Sequence, residues 1–208
     1  FEPDGSLDAD EPGDMPVEIV SPPMPIQQCL ELMPKFFEWA KSHGAYANRS
    51  TGFHMGVSLP HRGGQVDYLK LALFLGDEHV LKQFGRQYNN YCKSAMSKIK
   101  ERIKPEDVPS VLAQMKQHLN SLASKTIHSG ITDKYTSINT KTNYVEFRGP
   151  GGNYLDTDVD KLVNTALRTA YALKIASDPN AHKQEYQKKF YKILDDAGQN
   201  DVVKKFNQ

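Results

Sequence analysis

Cysteine is scarce in this chain. Cys29 and Cys92 are the two in 208 residues, they have no CxxC partner, and no framework of spaced half-cystines surrounds them. That excludes a disulfide-stapled secreted scaffold and favours a reduced, intracellular, cytoplasmic setting with the thiols buried and free. An excess of one charge is missing too, since 26 Lys and Arg face 25 Asp and Glu for a net charge of +1. No global field steers the protein to nucleic acid or to an anionic membrane, so neither is the expected partner and any ligand must be held locally. No apolar run approaches the roughly 18 residues that span a bilayer, and no signal-peptide pattern opens the chain. An initiating methionine is absent as well: the chain starts Phe1-Glu2-Pro3-Asp4-Gly5-Ser6, and an upstream segment is expected. Internal repeats and low-complexity stretches are also lacking.

What is present is a globular composition, 38% hydrophobic, enough to bury one large domain or one domain with a helical appendage. The division expected is residues 1–178 as the main domain and 179–208 as a C-terminal helical appendage of two short charged helices. Proline and glycine crowd the first 25 residues around one short strand signal, Val17-Glu18-Ile19-Val20. Ile26, Cys29, Leu30, Met33, Phe37 and Ala40 then recur at helical spacing up to Gly44, with Pro34 inside. Helices are further expected at about 65–75, at about 78–102 as one long basic segment, and from Pro105, where Val108, Val111, Leu112, Met115, Leu119 and Leu122 form an apolar stripe. Strands are expected at 135–138 and 143–148 around the turn Asn139-Thr140-Lys141-Thr142, followed by the loop Gly149-Pro150-Gly151-Gly152 and a helix from about 156.

The stretch Ser50-Thr51-Gly52-Phe53-His54-Met55-Gly56-Val57-Ser58-Leu59 alternates as a half-buried strand does. Phe53, Met55, Val57 and Leu59 fall on one side; His54, Gly56 and Ser58 fall on the other. Asn143 to Arg148 alternates in the same way, with Val145 and Phe147 facing one side and Tyr144, Glu146 and Arg148 the other. With Glu18 in its own strand, three strands carry a group of metal-binding or phosphate-binding type. If they are neighbours, carboxylates and one imidazole suit Mg2+ or Mn2+, while Arg suits a phosphate. The bland alternative stands beside it: a Glu146–Arg148 ion pair and an edge-strand Glu18. The Gly-Pro-Gly-Gly loop reads either as a turn or as backbone that approaches phosphate.

The ordered set EPDGSL, VEIVSPP, a helix, STGFHMGV, KYTSIN and YVEFRGPGG resembles the putative amidoligase family, carboxylate-amine ligases with a glutamine synthetase-like fold, over roughly residues 2–176. The resemblance implies an α+β fold in which an antiparallel sheet carries helices packed on one face. It implies ATP and Mg2+ or Mn2+ as cofactors, and a small-molecule or peptide carboxylate and an amine donor as substrates, joined as an amide through an acyl phosphate. It implies catalytic roles for Arg148 and Glu146, cofactor binding by His54, Arg148, Gly151 and Gly152, and metal binding by Glu18, His54 and Glu146. Asp4 and Ser6 match the family's DGS turn. Gly56 stands where the family carries a second histidine. That departure keeps open an alternative, in which a catalytically degenerate domain serves as a structural or binding module with a protein assembly partner.

Overall fold

A computed structural model describes residues 1–58, 66–102, 121, 123–125, 127, 135–157 and 159–196. The expected stripe from Val108 to Leu122 and the loop His61-Arg62-Gly63-Gly64 lie outside the described residues. The architecture is mixed helix and sheet, with two small antiparallel sheets, in agreement with the α+β class. Strands β1 (Glu2–Pro3) and β2 (Val17–Glu18) pair with each other, Glu2 opposite Glu18. Strands β3 (Met55–Ser58), β4 (Ile138–Thr140) and β5 (Tyr144–Phe147) form the second sheet in the order β3-β5-β4.

Helix α1 (Ile26–Ser42) runs through Pro34 and buries Met33, Phe37 and Ala40, one face at helical spacing. Helices α2 (Tyr68–Leu75) and α3 (Asp77–Gln83) share Gly76 as the C-cap of one and the N-cap of the other. Its φ of +63° is a left-handed conformation that L side chains rarely adopt. Helix α4 (Ala95–Glu101) starts at Ser94, whose hydroxyl accepts from Ser97 N. Helices α5 (Tyr154–Thr157), α6 (Val159–Ala176) and α7 (Lys183–Asp196) complete the described chain.

The long helix expected over 78–102 is two short ones. The break follows from Gly85 at φ +65° and from the buried Phe84. Between α3 and α4 the chain dips inward and buries Arg86 and Cys92. The strand expected at 135–138 is displaced to 138–140, because the turn is made by 141–143 rather than 139–142. Asn139 thereby enters the sheet, opposite Glu146. Residues 197–208 lie outside the described residues, and of the two C-terminal helices expected α7 is described. Its Tyr186, Phe190 and Ile193 are buried in the same core as Leu69, Leu71, Val145, Phe147 and Leu173.

Helix α6 joins the two hydrophobic clusters. Ala172, Leu173 and Ala176 belong to the cluster under the three-stranded sheet. Leu162 and Ala166 belong to the one built with Met33, Phe37, Val80, Phe84 and Leu155. Phe37 meets Phe53 at 6.3 Å and Tyr154 at 5.6 Å between ring centroids, which fixes the entry to β3 against α1 and α5. The three-stranded sheet therefore has one face held by apolar packing. Its other face is where the polar residues of the alternating strands stand.

Candidate functional site

The register brings the polar faces of the strands together. Met55 is opposite Phe147, and Phe147 is opposite Ile138, so this row packs inward. Gly56 is opposite Glu146, and Glu146 is opposite Asn139, so this row lies on the other face of the sheet, exposed at Gly56, half-buried at Glu146 and buried at Asn139. His54 precedes β3 and Arg148 follows β5 on the same alternation, which sets the imidazole, the carboxylate and the guanidinium at one end of one face.

Glu146 is held from three sides through one oxygen. Its Oε2 accepts from Asn139 Nδ2 at 3.3 Å, meets Arg148 Nη1 at 3.5 Å and lies 3.9 Å from Lys141 Nζ. The Arg148 pair is long for a charge-assisted bond, and Arg148 Nε is buried without a hydrogen-bond partner. One donor of this guanidinium is therefore unused.

A second guanidinium backs this one. Arg86, 7% exposed, donates through Nη1 to Pro150 O and, at 3.4 Å, to Arg148 O, while its Nε also lacks a partner. Burial holds Arg86 below the usual arginine range, and the charge of Arg148 adds to that effect. Cys92 Sγ donates to Arg148 O at 3.0 Å. Burial pushes this thiol up to about 11, so it stays a neutral donor. The backbone that presents Arg148 is thus gripped by two buried side chains.

The glycines of the loop serve this packing. Gly52 and Gly151 form an antiparallel bridge, Phe53 N donates to Pro150 O at 3.0 Å and Gly152 N donates to Thr51 O at 2.8 Å. A Cβ on Gly151 would stand 2.2 Å from Arg86 Nη1 and 2.6 Å from Thr51 O. The space that a side chain would need belongs to Arg86. Gly152 N–H is engaged within the protein, so this amide holds the loop against the turn before β3.

His54 is pulled down to about 4, first by desolvation and then by the charge of Arg148, with Glu146 opposing, Arg86 adding a little and Asp4 opposing least. The ring keeps an exposed edge although protein atoms crowd it, so solvent tempers the desolvation. Even so, the imidazole is neutral at pH 7, able to accept at one nitrogen and donate at the other. Asp4 is held below the usual carboxylate range by the hydroxyl and N–H of Ser6. The DGS turn is an Asx-type turn whose carboxylate also faces His54 electrostatically.

Glu18 lies in the other sheet. It lies on the β1-β2 hairpin, exposed, and that hairpin does not pair with the three-stranded sheet. Among the described residues no group of three or more His, Cys, Asp and Glu could hold a metal ion. With Oε2 of Glu146 already engaged, these donors do not fit a divalent ion well. Cationic groups outnumber the carboxylate here, since Arg148 and Lys141 both approach Glu146 while Arg86 donates to backbone carbonyls behind them.

Arg86 and Asn139 were not evident from the sequence. Arg86 sits in a segment that reads as basic helix, and Asn139 in a dipeptide that reads as a turn. A shallow concavity of about 330 Å³ lies elsewhere, lined by Phe74, Leu167, Arg168 and Tyr171 on α2 and α6. It lacks the acid, base and guanidinium grouping of the sheet face. Among described residues no helix is long and apolar enough to cross a membrane.

No curated protein and no solved structure matches the chain. A family model described as "putative amidoligase enzyme" matches residues 2–170. That match takes in both the His54 strand and the Glu146–Arg148 strand, and the chain belongs to this putative amidoligase family.

Proposed function

We propose that this protein is an ATP-dependent carboxylate-amine ligase that forms an amide bond through an acyl phosphate. Family membership supports the ligase class with its carboxylate and amine substrates. The observation that carries the reading to phosphate is the guanidinium of Arg148, with a buried unpartnered Nε and a long contact to Glu146, reinforced from behind by Arg86. ATP would supply a phosphoryl group that turns a substrate carboxylate, a poor electrophile, into one with a good leaving group.

The chain's own part is electrostatic. Arg148 neutralises charge on an oxyanion brought to this face, and its planar fork orients it. Glu146 holds Arg148 while keeping one oxygen free of described partners. His54, neutral, completes the rim as a hydrogen-bonding group. The described donors do not fit a divalent ion, and the chain's own positive charge on this face comes from its guanidinium.

Two substitutions on one strand test the division of roles. Arg148→Lys keeps the charge and loses the fork, so kcat should fall by about 10²-fold, as for loss of one oxyanion donor, with little change in ATP binding. Glu146→Gln keeps size and hydrogen bonding but frees Arg148 from its counter-charge, so ATP should bind at least as tightly. Steady-state kinetics and calorimetry across a magnesium titration read both. If metal bound at Glu146 dominates instead, Glu146→Gln will weaken ATP binding and added Mg2+ will restore it. If the pair is only structural, both variants will change the melting temperature and leave ATP binding and turnover of the folded protein as they were.

A further inference from the structure

The outer face of the sheet holds an aromatic side chain that the chemistry above does not use. Tyr144 lies on β5, two residues before Glu146 and opposite Ser58. Its ring lies across the neighbouring glycine: the three atoms nearest a Cβ built on Gly56 are Tyr144 Cδ2, Cε2 and Cγ, at 3.1, 3.2 and 3.9 Å. This is the diagonal contact of an antiparallel pair, where an aromatic ring covers a residue that has no side chain. A side chain at 56 would take that space, so the glycine is what lets the ring settle on the backbone. Tyr144 nevertheless keeps 38% of its surface exposed, and Gly56 and Ser58 beside it are exposed too. The result is a ring backed by a sheet and accessible to solvent.

Along β5 the order is Tyr144, Glu146, Arg148, so the ring and the guanidinium are four residues apart, roughly 13 Å at about 3.3 Å per residue. A flat apolar surface at one end and an under-satisfied cation at the other complement a ligand with a planar ring at one end and a chain of phosphates at the other. We propose that Tyr144, laid over Gly56, is the base-stacking platform of the nucleotide site, which takes a purine nucleoside triphosphate with its terminal phosphate toward Arg148. This rests on the ATP reading above. A π face recognises ring area rather than the pattern of edge donors, so the platform favours purine over pyrimidine and separates adenine from guanine poorly.

Calorimetry of the protein in Mg2+ with ATP, GTP, CTP and inorganic tripolyphosphate tests this. ATP and GTP should bind alike, CTP more weakly, and tripolyphosphate about tenfold more weakly than ATP, the scale of one stacked base. Tyr144→Ala should bring ATP down to the tripolyphosphate level, while Tyr144→Phe should leave the ratio intact. Arg148→Ala should weaken all four alike. Tripolyphosphate binding as tightly as ATP to the unaltered protein, or an unchanged ratio in a folded Tyr144→Ala, overturns the platform and leaves the ATP reading standing. Absence of binding by all four ligands overturns both.

Discussion

His54 owes its state to neighbours that the sequence separates widely. Burial disfavours the imidazolium most, and Arg148 and Arg86, from a strand end and an inter-helix turn, add to it. The folded protein holds His54 at about 4, against about 6.5 for an unperturbed imidazole. Because the folded value is the lower one, the unfolded chain takes up the proton first as pH falls. The neutral ring's contribution to stability is therefore whole above pH 6.5 and drains away between 6.5 and about 4. An NMR titration of the His54 ring should show a midpoint well below 6.5, and Arg148→Ala should move it upward. A midpoint that Arg148→Ala leaves in place would show that this guanidinium does not act on the ring. The histidine itself was legible in the alternation of STGFHMGVSL; its charge state was not, because the arginine that backs Arg148 looked like part of a solvated helix.

Among the elements, the junction of α3 and α4 depends on one buried carboxylate. Asp77 opens α3, is 1% exposed, and accepts through Oδ2 from Ala95 N and Ser137 Oγ, both at 2.6 Å. A single oxygen thus ties the first turn of α4 and the entry to β4 to the start of α3, while Oδ1 has no partner. Burial raises the Asp77 carboxyl above its usual range against the pull of these hydrogen bonds. With the folded value raised, its contribution to stability is fullest at low pH and is lost as pH rises through the folded value. Asp77→Asn keeps one acceptor oxygen, so its cost at neutral pH should be under about 1 kcal/mol; Asp77→Ala removes the acceptor that Ala95 N, Met96 N and Ser137 Oγ share and should cost about 2–4 kcal/mol. Denaturant unfolding of the two variants gives both numbers, and equal losses would show that a single acceptor oxygen does not hold the junction. The periodicity of α1 and of the stretch that became α6 was readable because each buries one continuous apolar face. The break at Gly85 was not, since the helix-forming residues around it mask a turn that exists to bury Arg86 and Cys92.

At the scale of the whole molecule, the sequence carried the α+β class, the two alternating strands and the grouping of His54, Glu146 and Arg148, because period-two patterning fixes which side chains share a face. It did not carry the position of Glu18, since a strand of two residues states no partner. What connects the N-terminal segment to the site is a set of hydrogen bonds centred on Asn48. Its Nδ2 donates to Asp8 O at 2.8 Å and to Asp10 Oδ1 at 2.9 Å, and its Oδ1 accepts from Ser50 N at 2.9 Å and Ser50 Oγ at 2.6 Å. Asp8 N in turn donates to Ser50 Oγ at 2.9 Å, and Tyr46 OH donates to Asp14 Oδ2 at 2.6 Å. The same turn continues into Thr51, whose carbonyl receives Gly152 N. One amide therefore pins residues 8–10 to the turn that leads into β3 and closes on the loop after Arg148. Asn48→Ala removes both ends of this bridge, and with each partly buried hydrogen bond contributing about 0.5–1.5 kcal/mol the variant should lose about 1–3 kcal/mol. Cleavage by a protease should then appear first within residues 1–16, since Tyr46 and Ser50 alone hold that segment less firmly. Asn48→Asp, which keeps the acceptor and loses the donor, should expose the same segment while sparing the turn at Ser50. Limited proteolysis mapped by mass spectrometry beside thermal melts reads both effects, and an unchanged cleavage pattern in Asn48→Ala would show that the N-terminal hairpin is held by its own strand pairing rather than by this residue.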